Sequence, residues 1–191
     1  MEYALTAIFG YLVGSVPFAL LVARRHGVDL RRTGDGNPGA WNALEQLGGR
    51  RAWPAFVLDG LKGTAAGLAG LALGGTWVAY AGVAGAMVGH ALPAFARFRG
   101  GKMVMTFAGG MLALAPTAAA LALALCALLG VVRSFALGAR VGVFGVPLLQ
   151  LALDGPERTA ATGGLMCLVG LAFTLRRSGP ATSATDAPRS T

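Results

Sequence analysis

The segment Phe98-Arg-Gly-Gly-Lys-Met103 sets two cations, Arg99 and Lys102, around the paired glycines Gly100 and Gly101, between two long apolar stretches. Glycines expose backbone N–H groups and lysine adds a compact positive charge, a combination suited to phosphate. A basic loop that fixes membrane topology uses the same residues, so the turn has two readings. Three more polar elements accompany it. Gly34-Asp-Gly-Asn-Pro-Gly-Ala-Trp-Asn42 crowds three glycines, Pro38 and two asparagines together. That density specifies a tight, non-repetitive backbone and favours a shaped site over a plain connector. His90 lies in Gly89-His-Ala-Leu-Pro93, shortly before the Arg99–Lys102 turn, as either a structural or a site histidine. Arg133-Ser134 follows the fifth apolar stretch. Asp59 and Lys62, at i,i+3, can form a salt bridge on one helix face, a structural pair whose lysine can also point into a shared polar cavity.

These are cations and backbone donors with few nucleophiles. No serine sits in a Gly-x-Ser-x-Gly elbow and no Cys–His pair is indicated. The set suits anion binding, or an acyl transfer whose substrate already carries a phosphate leaving group, so that the protein need only position two anions and stabilise developing charge. No zinc-like ligand spacing occurs, and Cys126 and Cys167 read as buried small apolar residues.

The elements that must position these residues are membrane helices. The chain is 55% hydrophobic and 13% charged with mean hydropathy +0.64, and a soluble domain carries about twice that charge fraction. The expected fold is all-α and integral to the membrane, with about seven transmembrane helices in one domain. The apolar segments are 3–23, 54–74, 77–96, 103–115, 117–132, 141–153 and 159–175. The fourth and sixth are short, at about 20 Å, and residues 103–132 either cross twice or form a re-entrant hairpin of the same parity. Arginine and lysine fall almost wholly on one side of this pattern, with Arg158 on the other, which places the N-terminus outside and the C-terminus in the cytoplasm. The polar elements then share the cytoplasmic face of a multi-pass protein of the cell membrane. The first segment lacks a basic n-region and reads as a retained anchor. Residues 1–177 form the domain, and the Ser/Thr/Ala/Pro-rich tail 178–191 is expected to be disordered. Gly10/Gly14, Gly63/Gly67, Gly85/Gly89 and Gly138/Gly142 have the spacing of close helix contacts. The net charge of +8, with no nucleic-acid module, points to membrane lipid headgroups or an anionic substrate.

Taken in order, Gly14-Ser-Val-Pro-Phe18, Gly34-Asp-Gly-Asn37 with Gly39-Ala40 and Asn42, Leu58-Asp59, Leu61-Lys62-Gly63, Gly89-His90, Pro93, Phe98-Arg-Gly-Gly-Lys102, Val104 and Thr106 form an ordered motif set. Over about residues 10–140 the chain resembles the PlsY acyl-phosphate:glycerol-3-phosphate acyltransferases. The resemblance implies seven transmembrane helices and a cytoplasmic active site. It implies transfer of a fatty acyl group from acyl phosphate to glycerol 3-phosphate, giving lysophosphatidic acid for phospholipid biosynthesis, with no metal and no cofactor. Carried over by position, Asn37, His90 and Lys102 are the implied catalytic residues. Gly34, Gly36, Gly39, Asn42, Arg99, Gly100, Gly101 and Arg133 are the implied substrate- and phosphate-binding set.

The chain departs from that family's pattern at five places. Asp35 stands where the family has serine, Glu45 where it usually has a phosphate-binding arginine, and Met103 where it has glycine. Ala136 and Ala139 stand for the serines after Arg133, and the C-terminal asparagine motif is missing after Arg176-Arg177. Negative charge at 35 and 45 opposes a dianionic phosphate. A paralogue with impaired catalysis, binding lipid or anions or regulating a membrane partner, is therefore the alternative expectation. A small transporter is a third, weakened by the lack of internal repeats.

Overall fold

The computed structural model describes residues 1–175, and no strand occurs among them. The expected disordered tail, with Arg176, Arg177 and Arg189, lies outside the described residues. The helices are α1 (Glu2–Gly14), α2 (Phe18–Arg25), α3 (Ala40–Leu47), α4 (Gly49–Gly74), α5 (Thr76–Ala91), α6 (Val104–Leu114), α7 (Pro116–Val132), α8 (Phe135–Asp154) and α9 (Pro156–Leu175), with a short 3-10 turn at Ala94–Ala96. Among the described residues five stretches are long and apolar enough to cross a membrane: Glu2–Arg25, Gly49–Gly74, Thr76–Ala96, Phe135–Asp154 and Pro156–Leu175. The apolar helices α6 and α7 are shorter, with 11 and 17 residues, or about 16 and 25 Å against a hydrocarbon layer of about 30 Å.

Three expected boundaries differ. Segment 3–23 is not one helix: Pro17 lacks an N–H and disfavours helical geometry at Val16, so the chain breaks between α1 and α2. The second helix begins before Pro54, which sits within its first two turns. The helix expected from 141 begins at Phe135, capped by Ser134, whose Oγ accepts the Leu137 N–H at 3.2 Å. Arg140 therefore lies inside α8 and not in a loop.

Packing depends on small residues. Gly10 and Gly14 of α1 lie against Gly82 and Ala86 of α5, while Gly85 and Gly89 of α5 receive Ala7 and Tyr11 of α1. Gly63 and Gly67 of α4 meet Thr106, Gly110 and Ala113 of α6, and Gly138 and Gly142 of α8 meet Ala122 and Cys126 of α7. All four glycine pairs singled out by spacing are at helix contacts, where a Cβ would strike a neighbouring helix. Lipid offers no hydrophobic force between helices, so close backbone approach is what associates them. Cys126 is half-buried at the α7–α8 contact, but Cys167 is exposed on α9, unlike the buried role expected for both.

The two ends of the bundle differ in chemistry. Among the described residues Arg158 is the one arginine at the end where α4 meets α5 and α8 meets α9; it pairs with Asp154 at 3.5 Å and donates to Thr76 Oγ1 at 3.1 Å. Beneath it Tyr80, Gln150 and Thr162 form a buried polar knot. The remaining described arginines cluster at the opposite end, with the two polar loops.

Candidate functional site

The site is built by two loops folded onto one another, 26–39 between α2 and α3 and 92–103 between α5 and α6. Asn42, fully buried at the start of α3, pegs the first: its Nδ2 donates to the carbonyls of Leu30, Thr33 and Asn37 at 3.0, 3.0 and 3.1 Å. Gly34 has φ +60° and packs on the Asn42 amide, leaving no room for a side chain, and Gly36 also takes a positive φ of 68°. Arg31 ties the loops together by donating from Nη2 to the carbonyls of Ala96 and Arg99 at 2.6 and 3.0 Å. Asp35 Oδ1 accepts the Asn37 N–H at 3.0 Å, a local turn that fixes Asn37.

The second loop doubles back on the end of α5. The N–H groups of Gly100 and Gly101 donate to the carbonyls of Ala91 and His90, each at 3.1 Å. The paired glycines therefore do not offer those N–H groups to a phosphate, as the sequence reading expected. They are small because a Cβ on Gly100 would strike the His90 carbonyl and one on Gly101 the His90 Nε2. Arg97, Phe98 and Met103 all have left-handed backbone, with φ of 56°, 56° and 65°. Non-glycine residues in that region carry strain, and the three fall together in the loop that delivers Lys102.

Lys102 reaches across to the first loop. Its Nζ lies 3.1 Å from Asp35 Oδ2 and 5.0 Å from the centre of the Phe173 ring of α9. It borders a cleft of about 490 Å³ whose polar lining includes Asp35, Asn37, Glu45, His90, Lys102 and Arg140. Phe56, Val143, Phe144 and Phe173 form much of its apolar wall. Trp41 and Glu45, one turn apart on α3, are joined by an indole N–H donated to Oε1 at 2.7 Å, and Trp41 stacks on Phe135 of α8 with ring centres 5.7 Å apart. A second cavity of about 500 Å³, lined almost wholly by apolar groups of α4, α6, α7 and α8, shares Phe56, Met105, Ala139 and Val143 with the cleft. The polar cleft and the apolar groove thus adjoin at these four side chains.

Beneath the cleft is a buried charged set. Lys62 and Asp59 are 2% and 1% exposed and 2.8 Å apart, which bears out the expected i,i+3 pair. Lys62 also donates to the carbonyls of Gly14 and Val16 at 3.0 and 2.9 Å, at the α1–α2 break where Val16 also accepts the Phe18 N–H, and lies 3.0 Å from His90 Nδ1. Unpaired charges at this depth are costly; here the cation is shared among backbone, carboxylate and imidazole.

Of the sequence-derived candidates, Asn37, His90 and Lys102 meet at one cleft, together with Gly39 in its wall. Gly34, Gly36 and Asn42 shape the first loop from inside, and Gly100 and Gly101 shape the second. Arg99 and Arg133 are exposed and line neither cavity. Arg140 and the Trp41–Glu45 pair are wall residues that the sequence reading left outside the candidate set. The signal for Arg140 was its spacing from Ala136, Ala139 and Val143, which share one helix face once α8 is extended back to residue 135. Among the described residues no cluster of His, Cys, Asp and Glu is placed to hold a metal ion.

Comparison with known proteins agrees with this architecture. Residues 4–178 match the family described as glycerol-3-phosphate acyltransferase. A glycerol-3-phosphate acyltransferase of Agrobacterium fabrum is 38% identical over 168 residues, covering 87% of this chain and 82% of the relative. One from Rubrobacter xylanophilus is 47% identical over 117 residues, covering 61% of this chain but 59% of the relative. The crystal structure of PlsY (YgiH), an integral membrane glycerol 3-phosphate acyltransferase in its glycerol 3-phosphate form, superimposes with a TM-score of 0.81 at 26% identity, covering 97% of this chain and 98% of that one. Its lysophosphatidic acid form has the same fold, with a TM-score of 0.77 at 24% identity and the same coverage.

Proposed function

The chain belongs to the glycerol-3-phosphate acyltransferase family, and from that membership we propose that it transfers a fatty acyl group from acyl phosphate to the 1-hydroxyl of glycerol 3-phosphate at the cytoplasmic face of the cell membrane. The observation that carries this reading is that the Lys102–His90–Asn37 cleft adjoins an apolar groove of similar size, with Phe56, Met105, Ala139 and Val143 lining both. A molecule with an anionic head and a long chain fits such a pair of cavities. The acyl chain lies in the groove between α4, α6, α7 and α8. The donor phosphate lies in the cleft that Lys102 and Arg140 both line. The acceptor oxygen attacks the acyl carbon, the bond from that carbon to the phosphate oxygen breaks, and the hydroxyl proton leaves with the released phosphate or to water. Lys102 neutralises charge gathering on the leaving phosphate, and His90 and Asn37 border the reacting atoms. Lysophosphatidic acid is the product.

A specific observation favours a second reading. Lys102 is already paired with Asp35 at 3.1 Å, and Glu45 shares the same cleft. These carboxylates oppose a phosphate-bearing acceptor, so the same fold also fits a protein of reduced activity that binds lipid or anions, or one with a different acceptor. Phosphate release by the purified protein supplied with palmitoyl phosphate, with and without glycerol 3-phosphate, separates the two. Acceptor-dependent release is expected. No release beside an active family member overturns the acyltransferase reading.

A further inference from the structure

The apolar groove is open along one flank and blind at its deep end. Trp53 and Val57 of α4 and Leu123 of α7 line the flank and are exposed. At the end remote from the arginines the groove is lined by Phe107, Ala119 and Val146, all buried. One turn further, on the same helix faces, stand Met111 on α6 and Gln150 on α8, both fully buried. One hydrogen-bonded knot holds these two. Gln150 Nε2 donates to Tyr80 Oη at 3.1 Å, Tyr80 Oη and Thr162 Oγ1 are 2.9 Å apart, and Thr162 Oγ1 lies 3.9 Å from Met111 Sδ. A glutamine inside an apolar helix is costly unless bonded across helices. An apolar residue at 150 would also close the groove, but hydrogen bonds to a second helix fix where the closure lies. The depth above it exists because side chains there are small: Ala119 and Ala122 line space that interiors otherwise close-pack. Along α8, from Ala139, which also borders the cleft, to Val146, the groove descends about 10 Å.

We infer that Val146, backed by Gln150, is the stop that sets the longest acyl chain this protein accepts. The chain descends from the cleft between α6, α7 and α8, and its methyl end meets Val146. That the occupant is an acyl chain rests on the proposed acyl transfer. The competing path leads out through the flank between α4 and α7 into lipid, where no residue limits length.

Turnover of decanoyl, lauroyl, palmitoyl and stearoyl phosphate by the full chain tests the stop. The parent should show a longest accepted chain, beyond which kcat/KM falls by about tenfold or more at the next length, because a methylene misfit in an apolar pocket discriminates by about 10- to 200-fold. Val146→Phe raises the floor and should lower the ratio of kcat/KM for palmitoyl over decanoyl phosphate by about tenfold or more. Gln150→Ala deepens the groove and should raise the ratio for stearoyl over palmitoyl phosphate. Lost packing alone would move both ratios the same way. A flat length profile in the parent, or ratios unchanged in both variants, overturns the inference. Palmitoyl phosphate with a diazirine at its terminal carbon reads the chain end directly: it is photolysed with the parent in lipid nanodiscs, without glycerol 3-phosphate, and the labelled peptides are identified by mass spectrometry. Label at Val146, Ala119 or Phe107 is expected; label confined to Trp53, Val57, Leu123 or lipid overturns the stop. If a variant does not fold, the parent's length profile and the labelling decide. The labelling reads the chain end whether or not the protein turns over, so its failure is distinct from failure of the phosphate-release assay.

Discussion

Replacing Asp35 by asparagine removes one charge from the cleft and almost nothing else. The Asp35 Oδ1 that accepts the Asn37 N–H at 3.0 Å is kept by the asparagine carbonyl, so the first loop retains its turn. What changes is the carboxylate 3.1 Å from Lys102. A phosphate carries nearly two negative charges at neutral pH. Bound to Lys102 at about 5 Å from Asp35, it is repelled by about 1.7 kcal/mol in water-like surroundings and about 3.3 kcal/mol at half that dielectric. The side chains of Lys102 and Asp35 are 16% and 24% exposed, so screening is weaker than in water and the repulsion is at least the smaller of these figures. At about 1.4 kcal/mol per tenfold, KM for acyl phosphate should fall by at least about tenfold in Asp35→Asn. The gain should shrink as salt is raised, because screening weakens the repulsion being removed. Initial rates of phosphate release from palmitoyl phosphate give KM, and calorimetric titration of palmitoyl phosphate gives the affinity if turnover is too slow. The thermal midpoint in detergent should hardly move, since a partly exposed ion pair contributes at most about 1 kcal/mol. A KM and an affinity both within twofold of the parent would refute the idea that Asp35 competes with phosphate for Lys102.

Lys102→Ala should abolish acyl transfer while leaving expression intact; unchanged turnover removes Lys102 from the site. Arg140→Gln should raise KM for acyl phosphate by about tenfold at unchanged thermal midpoint, the effect of losing one charge-assisted hydrogen bond; equal KM values exclude Arg140 from donor binding. Asn42→Ala leaves the carbonyls of Leu30, Thr33 and Asn37 without their shared donor and should lower stability by about 2–4 kcal/mol, read as faster proteolysis within residues 26–39. Met103→Gly relieves about 1–2 kcal/mol of left-handed strain but removes a side chain that is 5% exposed in the core, typically about 2–5 kcal/mol, so the variant should melt lower despite its easier backbone. A higher midpoint would show that strain outweighs packing there.

Much of this protein was legible as sequence because its solvent is lipid. A bilayer forces backbone groups to pair within a segment, so apolar length and arginine position identify helices and one charged end without knowledge of their packing. The glycine pairs could be read for the same reason, since small residues are what let membrane helices touch. The ordered motifs around Asn37, His90 and Lys102 marked the residues that gather at the cleft. Boundaries were less legible where local signals conflict: Arg140 looked like a loop residue because charge is rare in apolar helices, and the Ser134 cap that begins α8 is a weaker signal.

Three features needed the tertiary structure. The Gly-Gly pair is read as a phosphate cradle when its N–H groups are counted in sequence, but the fold directs both to carbonyls at the end of α5. Asn42 is a motif residue whose use, holding a loop from within, depends on three carbonyls from different parts of that loop. Asp35 and Lys102 are 67 residues apart, and Lys62, Gly14 and His90 come from three helices. Composition, period and spacing are properties of neighbours along the chain. Which charge meets which is set by how helices from distant parts of the chain pack, and at 3 Å that meeting decides whether a cation is available to a substrate or already satisfied by the protein.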